Sequence, residues 1–448
     1  MSSPEGDEGG SYRGSVDPLY ERLPHGPHRL DHNQVIRNQR ARIQGAMVEA
    51  VAASGYEAVS VRQVVALAGV SRRSFYELYS NKQECFLSTF DVIAARGVKG
   101  IRGAYQDSKG PLEDRLRVTF RQFVEGVKTN WKDARLTMVE AQTIVPAGLE
   151  RLLRATATCE HMLFTTFTHA PDANPLPMPI VRGIVGGLHG SMATCLREGH
   201  PRELPAVSEE LLRWTLVFQS PAAAHITERA IEPAPPRAGG ADRRAPGSLP
   251  ERGNVAVAGA RSRLMHEALR LALIEDYKEL SAPQIADEAD VSIDAFFELF
   301  AGKDECYLAA LDTLGAELLQ VVADPELLHG DWPRAVRRVM AEMTRYLAER
   351  PLYAQTLTAG AFAAGPKSAA RILELGCSVS TLLVEGAPQP ARTGIALEGI
   401  RAAIGHTIRC QVAGDEIERL PALCDYISYV VLAPFIGADA AAAIVTES

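Results

Sequence analysis

Residues 60–82, SVRQVVALAGVSRRSFYELYSNK, predict two short helices joined by a tight turn. Ser60 and Gln63 form a capping-box pattern that begins the first helix, and Ser71 can cap the second. Gly69, which lies between the two helices, can take the positive φ that such a turn requires. The stretch is therefore typical of a helix-turn-helix.

The second of these helices is predicted to have an apolar face and a polar face. Phe75, Leu78 and Tyr79 recur at helical spacing and are expected to face the core. Arg72 and Arg73 then lie on or beside the opposite face. A helix with such a face can enter the major groove of DNA.

A longer stretch shares several motifs with a known family. RARIQGAMVEAVAASGYEAVSVRQ and the following AGVSRRSFYELYSNKQE together resemble the DNA-binding domain of the tetracycline-repressor (TetR) family of bacterial regulators. The shared features are GY after the first helix, SVR, AGVS, FY and NK-x-E. In that family, the arginine that opens helix 2 and the exposed residues of the recognition helix contact DNA.

The resemblance implies specific roles in DNA binding. Arg62 and Arg73 are expected at base edges, because arginine suits the paired acceptors of guanine. Arg72, Lys82 and their polar neighbours are expected at phosphates, where they would set the register. The full set of predicted contacts is Arg40, Arg42, Ser60, Arg62, Ser71, Arg72, Arg73, Ser74, Tyr76 and Lys82.

Alternatives remain for some of these residues. Arg40 and Arg42 belong either to a phosphate-contacting arm or to an ordinary solvated helix start. Tyr76 could instead be a half-buried helix residue. Glu77 could accept a hydrogen bond from a cytosine amine, but we favour an interaction that holds Arg73, four residues earlier.

Composition limits the other classes of function. The chain has 448 residues, 46% hydrophobic and 23% charged, which are values of a globular protein. Its formal net charge of -8 means that any nucleic-acid surface must be local. Seven cysteines show neither CxxC nor Cys/His metal spacing, so we expect reduced thiols in a cytoplasmic protein with no metal and no cofactor.

The predicted organisation is all-α, with two tandem modules that each consist of a helix-turn-helix domain and a helical bundle. Residues 1–32 are expected to be disordered. The apolar stretch 426–445 is expected to be a buried packing helix followed by an Ala-rich tail rather than a membrane span, because Pro434, Gly437 and Asp439 interrupt it. The predicted segments are a helix-turn-helix domain at 33–85, an effector and dimerisation domain at 86–232, a linker at 233–254, a degenerate helix-turn-helix domain at 255–306 and a second effector domain at 307–448. As a flexible coil, the Pro/Gly/Arg-rich linker would span roughly 25 Å.

An internal repeat is the basis for the second module. Residues 281–308 align without gaps to residues 60–87 at an offset of 221, with 12 identities in 28 positions. Near the end of each module, ELPAVSEELLRW aligns with RLPALCDYISYV at an offset of 216. The two alignments therefore indicate a tandem duplication within the chain.

The two repeats differ in charge. Residues 40–82 carry six basic and three acidic side chains, whereas residues 261–303 carry five basic and nine acidic ones. Arg62, Arg72 and Arg73 correspond to Pro283, Ile293 and Asp294. Since a lost phosphate contact lowers affinity and a carboxylate repels the DNA backbone, we expect only the first repeat to bind DNA. The second would be structural or would contact another partner.

The resemblance also implies assembly through the last two helices of each module, predicted at 181–197 with 205–219 and at 394–412 with 421–434. Two arrangements are possible: an intrachain pseudo-dimer, which the linker length favours, and a homodimer of two chains.

A small-molecule effector is expected inside the helical bundle. Its predicted contacts are Trp131, Glu140, His161, Arg182 and His189, with Tyr353, Gln355 and His406 as weaker candidates in the second module. Each of these residues could instead be a solvated or a satisfied core side chain. The Ala, Gly and Leu content suggests an apolar pocket and hence an apolar or amphipathic effector. The resemblance to the TetR family implies the effector site itself and a repressor that the effector releases from double-stranded DNA.

The sequence also bears on two other classes of function. The sequence has no phosphate loop, nucleophile elbow or metal motif, so it is not expected to be an enzyme. The alternative function is a ligand sensor or protein-interaction adaptor, derived from such a regulator, that does not bind DNA. The acidic second repeat favours this alternative, and the arginines of the first repeat oppose it.

Overall fold

The computed structural model describes residues 32–197, 204–228, 255–275, 277–362, 364–388, 390–391 and 394–447. All regular elements among these residues are helices, so the all-α prediction is confirmed. The predicted leader, apart from His32, and the predicted linker lie outside the described residues. The chain divides into two units, Met1–Val92 and Ile93–Ser448.

The first unit contains three helices and the start of a fourth. These are α1 (His32–Ala58), α2 (Val61–Ala68), α3 (Arg72–Leu78) and α4 (Lys82–Asp107), which continues past the unit. In α1, Gly55, at φ 75°, bends the last turn. Ile43, Met47 and Phe75 are fully buried, so the apolar stripes of α1 and α3 form the core as their spacing predicts.

The second unit continues with a helical bundle. Its helices are α5 (Leu112–Thr129), α6 (Trp131–Met138), α7 (Ala147–His169), α8 (Met178–Arg197) and α9 (Leu204–Leu216), with short 3-10 segments at Glu140–Thr143 and Pro221–His225. Helix α5 packs along α9, and α7 packs along α8. Asn130 lies between α5 and α6.

The predicted second helix-turn-helix is helical at the expected positions. Its elements are α10 (Val255–Ile274), α11 (Ala282–Glu288), α12 (Ile293–Leu299) and α13 (Lys303–Val322). The remaining helices are α14 (Pro325–Leu328), α15 (Trp332–Ala348), α16 (Pro351–Thr358), α17 (Pro366–Val384), α18 (Ala396–Ala413), α19 (Cys424–Ile436) and α20 (Ala438–Thr446), with 3-10 segments at Gly360–Phe362 and Ile417–Leu423.

One stretch among the described residues is long and apolar enough to cross a membrane. It is Ile417–Ile436, and 83% of its most apolar window is buried inside the protein. Gly437, at φ 88°, ends this stretch before α20. Its burial is that of a core helix.

Helices α8 and α18 pack closely, and glycines make this possible. A Cβ on Gly186 would lie 2.5 Å from the Cβ of His406, and a Cβ on Gly190 would lie 2.1 Å from that of Ala402. Side chains of both halves of the unit, from Leu112 to Val445, share one apolar core. The interface is therefore continuous with the interior of the protein.

Helix α9 and the segment after it complete this contact. Trp214 is fully buried, and its Nε1–H donates to the carbonyl of Ile184 at 3.1 Å. The hydroxyl of Tyr429 donates to the carbonyl of Phe218 at 2.7 Å, and Ser220 donates to Asp439 at 2.5 Å. These hydrogen bonds satisfy polar groups inside an otherwise apolar contact.

Candidate functional site

The starts of α2 and α3 are fixed by serine caps. Ser60 Oγ accepts from the backbone N–H of Gln63 at 3.3 Å, and Gln63 Oε1 accepts from the N–H of Ser60 at 2.8 Å, which completes the predicted capping box. Ser71 Oγ accepts from the N–H of Ser74 at 2.9 Å. Gly69 ends α2 in the left-handed conformation, at φ 61°. These local bonds set the angle between the two helices.

The outer face of this motif is basic and exposed. Arg62, Arg72, Arg73 and Tyr76 are all exposed. Arg73 Nε donates to Glu77 Oε1 at 2.9 Å, as predicted, but both side chains are mostly in solvent. Such an ion pair contributes little stability, so Arg73 can exchange it for a base or phosphate. Arg62 and Arg72 make no hydrogen bond or ion pair within the described residues.

Two other predicted DNA contacts have roles inside the fold. The guanidinium of Arg42 donates to the carbonyls of Ala68 and, at 2.8 Å, Gly69, at the end of α2. Lys82 Nζ donates to the carbonyl of Tyr56 at 3.0 Å and lies 4.2 Å from the centre of that ring. Cations stabilise helix carboxyl ends because the carbonyls there lack partners.

The second repeat retains these two contacts. Arg263, the counterpart of Arg42, donates to the carbonyls of Ala289 at 2.9 Å and Asp290 at 3.3 Å. Lys303, the counterpart of Lys82, donates to the carbonyl of Tyr277 at 2.7 Å. The structure thus gives Arg42 and Lys82 a stabilising role that sequence reasoning missed, and a phosphate contact by either residue stays a prediction.

The arginines of the first repeat that have an arginine counterpart in the second repeat differ in environment from those that are replaced there. Arg40 is exposed, but its counterpart Arg261 lies 4.5 Å from the centre of the Phe300 ring, within the second motif. Pro283, Ile293 and Asp294, which replace Arg62, Arg72 and Arg73, are all exposed. The repeat therefore retains basic residues that hold the fold together and lacks those on the outer face.

The turn of the second motif is also preserved. Asp290 takes the place of Gly69 and adopts φ 50°, close to the 61° of the glycine. Aspartate tolerates this region better than most residues, although at some cost. Phe297, at the position of Tyr76, is 55% exposed. The same backbone therefore presents an acidic and apolar face in place of a basic one.

The structure does not bring the five predicted effector contacts together. Trp131 packs in a small apolar cluster with Met192 and Leu211, and Glu140 pairs with Arg135 at 3.3 Å. His161 is exposed on α7. Arg182 and His189, both on α8, lie instead in a different environment, beside the contact between α7 and α18.

That environment is a group of titratable side chains, here called the polar cluster: Glu160, Arg182, His189, His406, Arg409 and Cys410. His406 Nε2 lies 2.7 Å from Glu160 Oε1 and 3.5 Å from Cys410 Sγ. Arg182 Nε lies 3.5 Å from Glu160 Oε2. Glu160 is 4% exposed and His406 is 7% exposed, so this is a buried ionic group within an apolar interface.

The two histidines of the polar cluster differ in their pKa. Burial opposes the protonation of His406, but its contacts with Cys410 and Glu160 outweigh this effect and raise its pKa to about 9. Burial, with the nearby charges of His406 and Arg409, lowers the pKa of His189 to about 3. His189 is therefore neutral at pH 7. Its Nε2 is buried and has no hydrogen-bond partner among the described residues.

The capped helices, the left-handed turn and the exposed arginines define the first unit as a helix-turn-helix domain of the DNA-binding type. Residues 46–89 match the family model of bacterial regulatory proteins of the tetR family. This segment is a TetR-family domain, as its motifs predict. A comparison with curated proteins gives no match.

Several solved structures are similar to part of the chain. FadR from Bacillus subtilis, in complex with stearoyl-CoA, is 17% identical over 39% of this chain and 96% of its own, with a TM-score of 0.36. FadR from Bacillus halodurans is 18% identical over 39% of this chain and 96% of its own, with a TM-score of 0.35. A TetR family transcription regulator from Marinobacter aquaeolei VT8 is 19% identical over 40% of this chain and 96% of its own, with a TM-score of 0.30.

Proposed function

We propose that the protein is a DNA-binding transcriptional regulator that reads duplex DNA through α2 and α3. The observation that carries this proposal is the exposed group of Arg62, Arg72, Arg73 and Tyr76, which the fold does not need for its own capping contacts. Arginines there can contact guanine edges and phosphates when α3 lies in the major groove.

The second half of the chain, in this proposal, is a built-in partner of the first. Contacts between α8 and α18 support it, because they are related by the repeat. The offset of 216 takes Gly186 to Ala402 and Gly190 to His406. If each residue is replaced by its equivalent in the other half, the pair Gly186–His406 is converted into the pair Ala402–Gly190. Both pairs are in contact in the structure. Such exchange of partners is the signature of a two-fold interface.

A second pair of contacts obeys the same relation. A Cβ on Gly183 would lie 3.0 Å from Val430, and a Cβ on Gly399 would lie 2.8 Å from the ring of Trp214. The offset relates Gly183 to Gly399 and Trp214 to Val430. These contacts favour an intrachain pseudo-dimer over a homodimer, since one chain supplies both sides.

The consequence for DNA binding is asymmetry. Only the first motif has the basic outer face, so one chain would cover one half-site, and a palindrome would require two chains. We further propose that the regulator is a repressor and that a small apolar ligand releases it. Both parts of this proposal rest on the resemblance of the chain to the TetR family and on its Ala, Gly and Leu content.

Binding to random-sequence duplex, measured by fluorescence anisotropy over a range of salt concentrations, tests the DNA proposal. The parent should bind with steep salt dependence, because phosphate contacts release counterions. Replacing Arg62, Arg72 and Arg73 together with alanine should abolish most binding. Arg102→Ala is the control, since Arg102 is an exposed arginine of α4 that lies outside the helix-turn-helix.

A second candidate function is a protein-interaction adaptor. It is favoured by α12, where Ile293 is 37% and Phe297 is 55% exposed beside Asp294 and Glu298. An adaptor would not bind duplex DNA even at low salt, so the same titration separates the two functions. Sequencing genomic fragments retained by the protein would then identify the regulated sites.

A further inference from the structure

Three side chains with metal-binding atoms meet where α7 passes α18. Glu160 comes from α7, while His406 and Cys410 lie one turn apart on α18 and therefore share a face. Their ligand atoms all lie within 4.8 Å of one another. Glu160 and His406 are buried and Cys410 is half-buried.

We propose that Glu160, His406 and Cys410 form a binding site for a divalent transition metal of the zinc class. Imidazole nitrogen, thiolate sulfur and carboxylate oxygen are the donors that zinc takes in proteins. Because the three residues come from both halves of the chain, a bound ion would join α7 to α18 directly. This site is independent of DNA binding and goes beyond the proposed function.

The distances fit a tetrahedral ion after a small adjustment. With Zn–N of about 2.0 Å and Zn–S of about 2.3 Å, tetrahedral geometry places the two donors about 3.5 Å apart. His406 Nε2 and Cys410 Sγ are separated by 3.5 Å. Nitrogen and oxygen ligands would be about 3.3 Å apart. The 2.7 Å hydrogen bond between His406 and Glu160 must therefore open by roughly 0.6 Å.

The surroundings of the three donors favour a defined ligand geometry. Arg182 lies beside Glu160 Oε2 at 3.5 Å and leaves Oε1, which faces His406, for the metal. One carboxylate and one thiolate balance the charge of a divalent ion. The loaded site then adds no net charge to a buried region that already holds Arg182.

The three protein donors leave the fourth tetrahedral position of such an ion to a further donor. His189, on α8, lies close enough to His406 for their charges to interact, and its buried Nε2 has no hydrogen-bond partner among the described residues. An unpaired buried nitrogen is costly, and a ligand bond would remove that cost.

The site has no symmetric copy in the first half of the chain. The offset of 216 relates Glu160 to Gly376, His406 to Gly190 and Cys410 to Thr194, so none of the three donors is present at the equivalent positions. The stoichiometry should therefore be one ion per chain. Sequence spacing could not reveal the site, because 246 residues separate Glu160 from His406.

The test is a titration of the full, chelator-stripped chain with Co²⁺, followed by absorption spectroscopy. A tetrahedral cobalt ion with a thiolate ligand gives sulfur-to-metal charge-transfer absorption and visible ligand-field bands. We expect both to saturate at one equivalent and to disappear when Zn²⁺ is added. Cys410→Ser should abolish the charge-transfer absorption, whereas Cys377→Ser, at an exposed thiol of α17, should leave it unchanged.

Glu160→Gln provides a second variant that keeps a hydrogen-bonding oxygen near His406 but is a poorer ligand. It should weaken cobalt binding while circular dichroism and molar mass stay those of the parent. The proposal is overturned if the parent shows no charge-transfer absorption at one equivalent. It is equally overturned if that absorption survives in Cys410→Ser.

Discussion

Gly190 of α8 lies so close to Ala402 of α18 that a Cβ on the glycine would come within 2.1 Å of the alanine Cβ. No pair of non-bonded carbon atoms tolerates that distance, so the two helices could not keep their separation if position 190 carried a side chain. The absence of a side chain at Gly190 is thus a condition for the contact between the two halves of the chain.

Gly190→Ala should therefore destabilise the protein by about 1–3 kcal/mol, the usual cost of inserting a methyl group into a packed interface. The control is Gly405→Ala, because a Cβ at Gly405 would meet nothing within 4 Å. Since alanine favours a helix more than glycine, the control should be neutral or up to about 1 kcal/mol more stable. Urea unfolding curves give both free energies.

A second substitution tests whether the stability lost in Gly190→Ala comes from its contact with Ala402. Ala402→Gly removes the atom that the new methyl group would meet, so it should recover part of the stability lost in Gly190→Ala. Additive losses in the double variant would show that the two positions do not meet in solution.

Arg73→Ala should lower the affinity for a specific operator by about 1–3 kcal/mol and relax the preference at one base pair. Loss of the exposed Arg73–Glu77 ion pair should have little effect on folding, so the thermal midpoint should stay near that of the parent. Anisotropy with a panel of single-base operator variants measures the preference. Unchanged affinity and preference would remove Arg73 from the DNA interface.

Lys82→Met should lower the stability of the protein, whether or not Lys82 also contacts a phosphate. Methionine keeps the apolar stem but loses the hydrogen bond to the carbonyl of Tyr56, and bonds to charged groups contribute about 1.5–3 kcal/mol. Lys303→Met, which loses the bond to Tyr277, is the matched variant. We expect both to unfold at lower urea concentration. A fall of about one unit in the salt slope for Lys82→Met alone would also indicate a phosphate contact.

The molar mass in solution tests the intrachain pairing. Light scattering over a concentration series, without DNA, should give a mass near the 48.4 kDa of one chain. The predicted linker would hold both halves at an effective concentration of the order of mM, so pairing within the chain should precede pairing between chains. A constant mass of twice that value at low concentration would favour the homodimer.

Sequence predicted the parts of this protein that depend on neighbouring residues. Ser60, Gln63 and Gly69 fix the starts and ends of α2 through bonds to groups a few residues away, so their roles could be inferred directly. The apolar spacing of α1 and α3 similarly predicts their buried faces. The exposed arginines follow from the same periodicity.

The missed features depend on distant partners. Arg42 and Lys82 each bind carbonyls about 26 residues away, and nothing in their local sequence distinguishes a helix cap from a phosphate contact. The polar cluster joins helices that are far apart in the chain. A usable signal did exist at the interface, since the glycines of VRGIVGGLHG fall on one helix face, which is typical of close helix packing.

The unequal pairing of α8 with α18 has a consequence for how this protein can change over generations. In a pair of identical subunits, each substitution at the symmetry axis appears on both sides and must fit against itself. Here Gly186 and Gly190 lie on one helix, and Ala402 and His406 occupy the equivalent positions on the other. In the proposed pseudo-dimer, each side can therefore accept a substitution that would clash if it occurred on both sides.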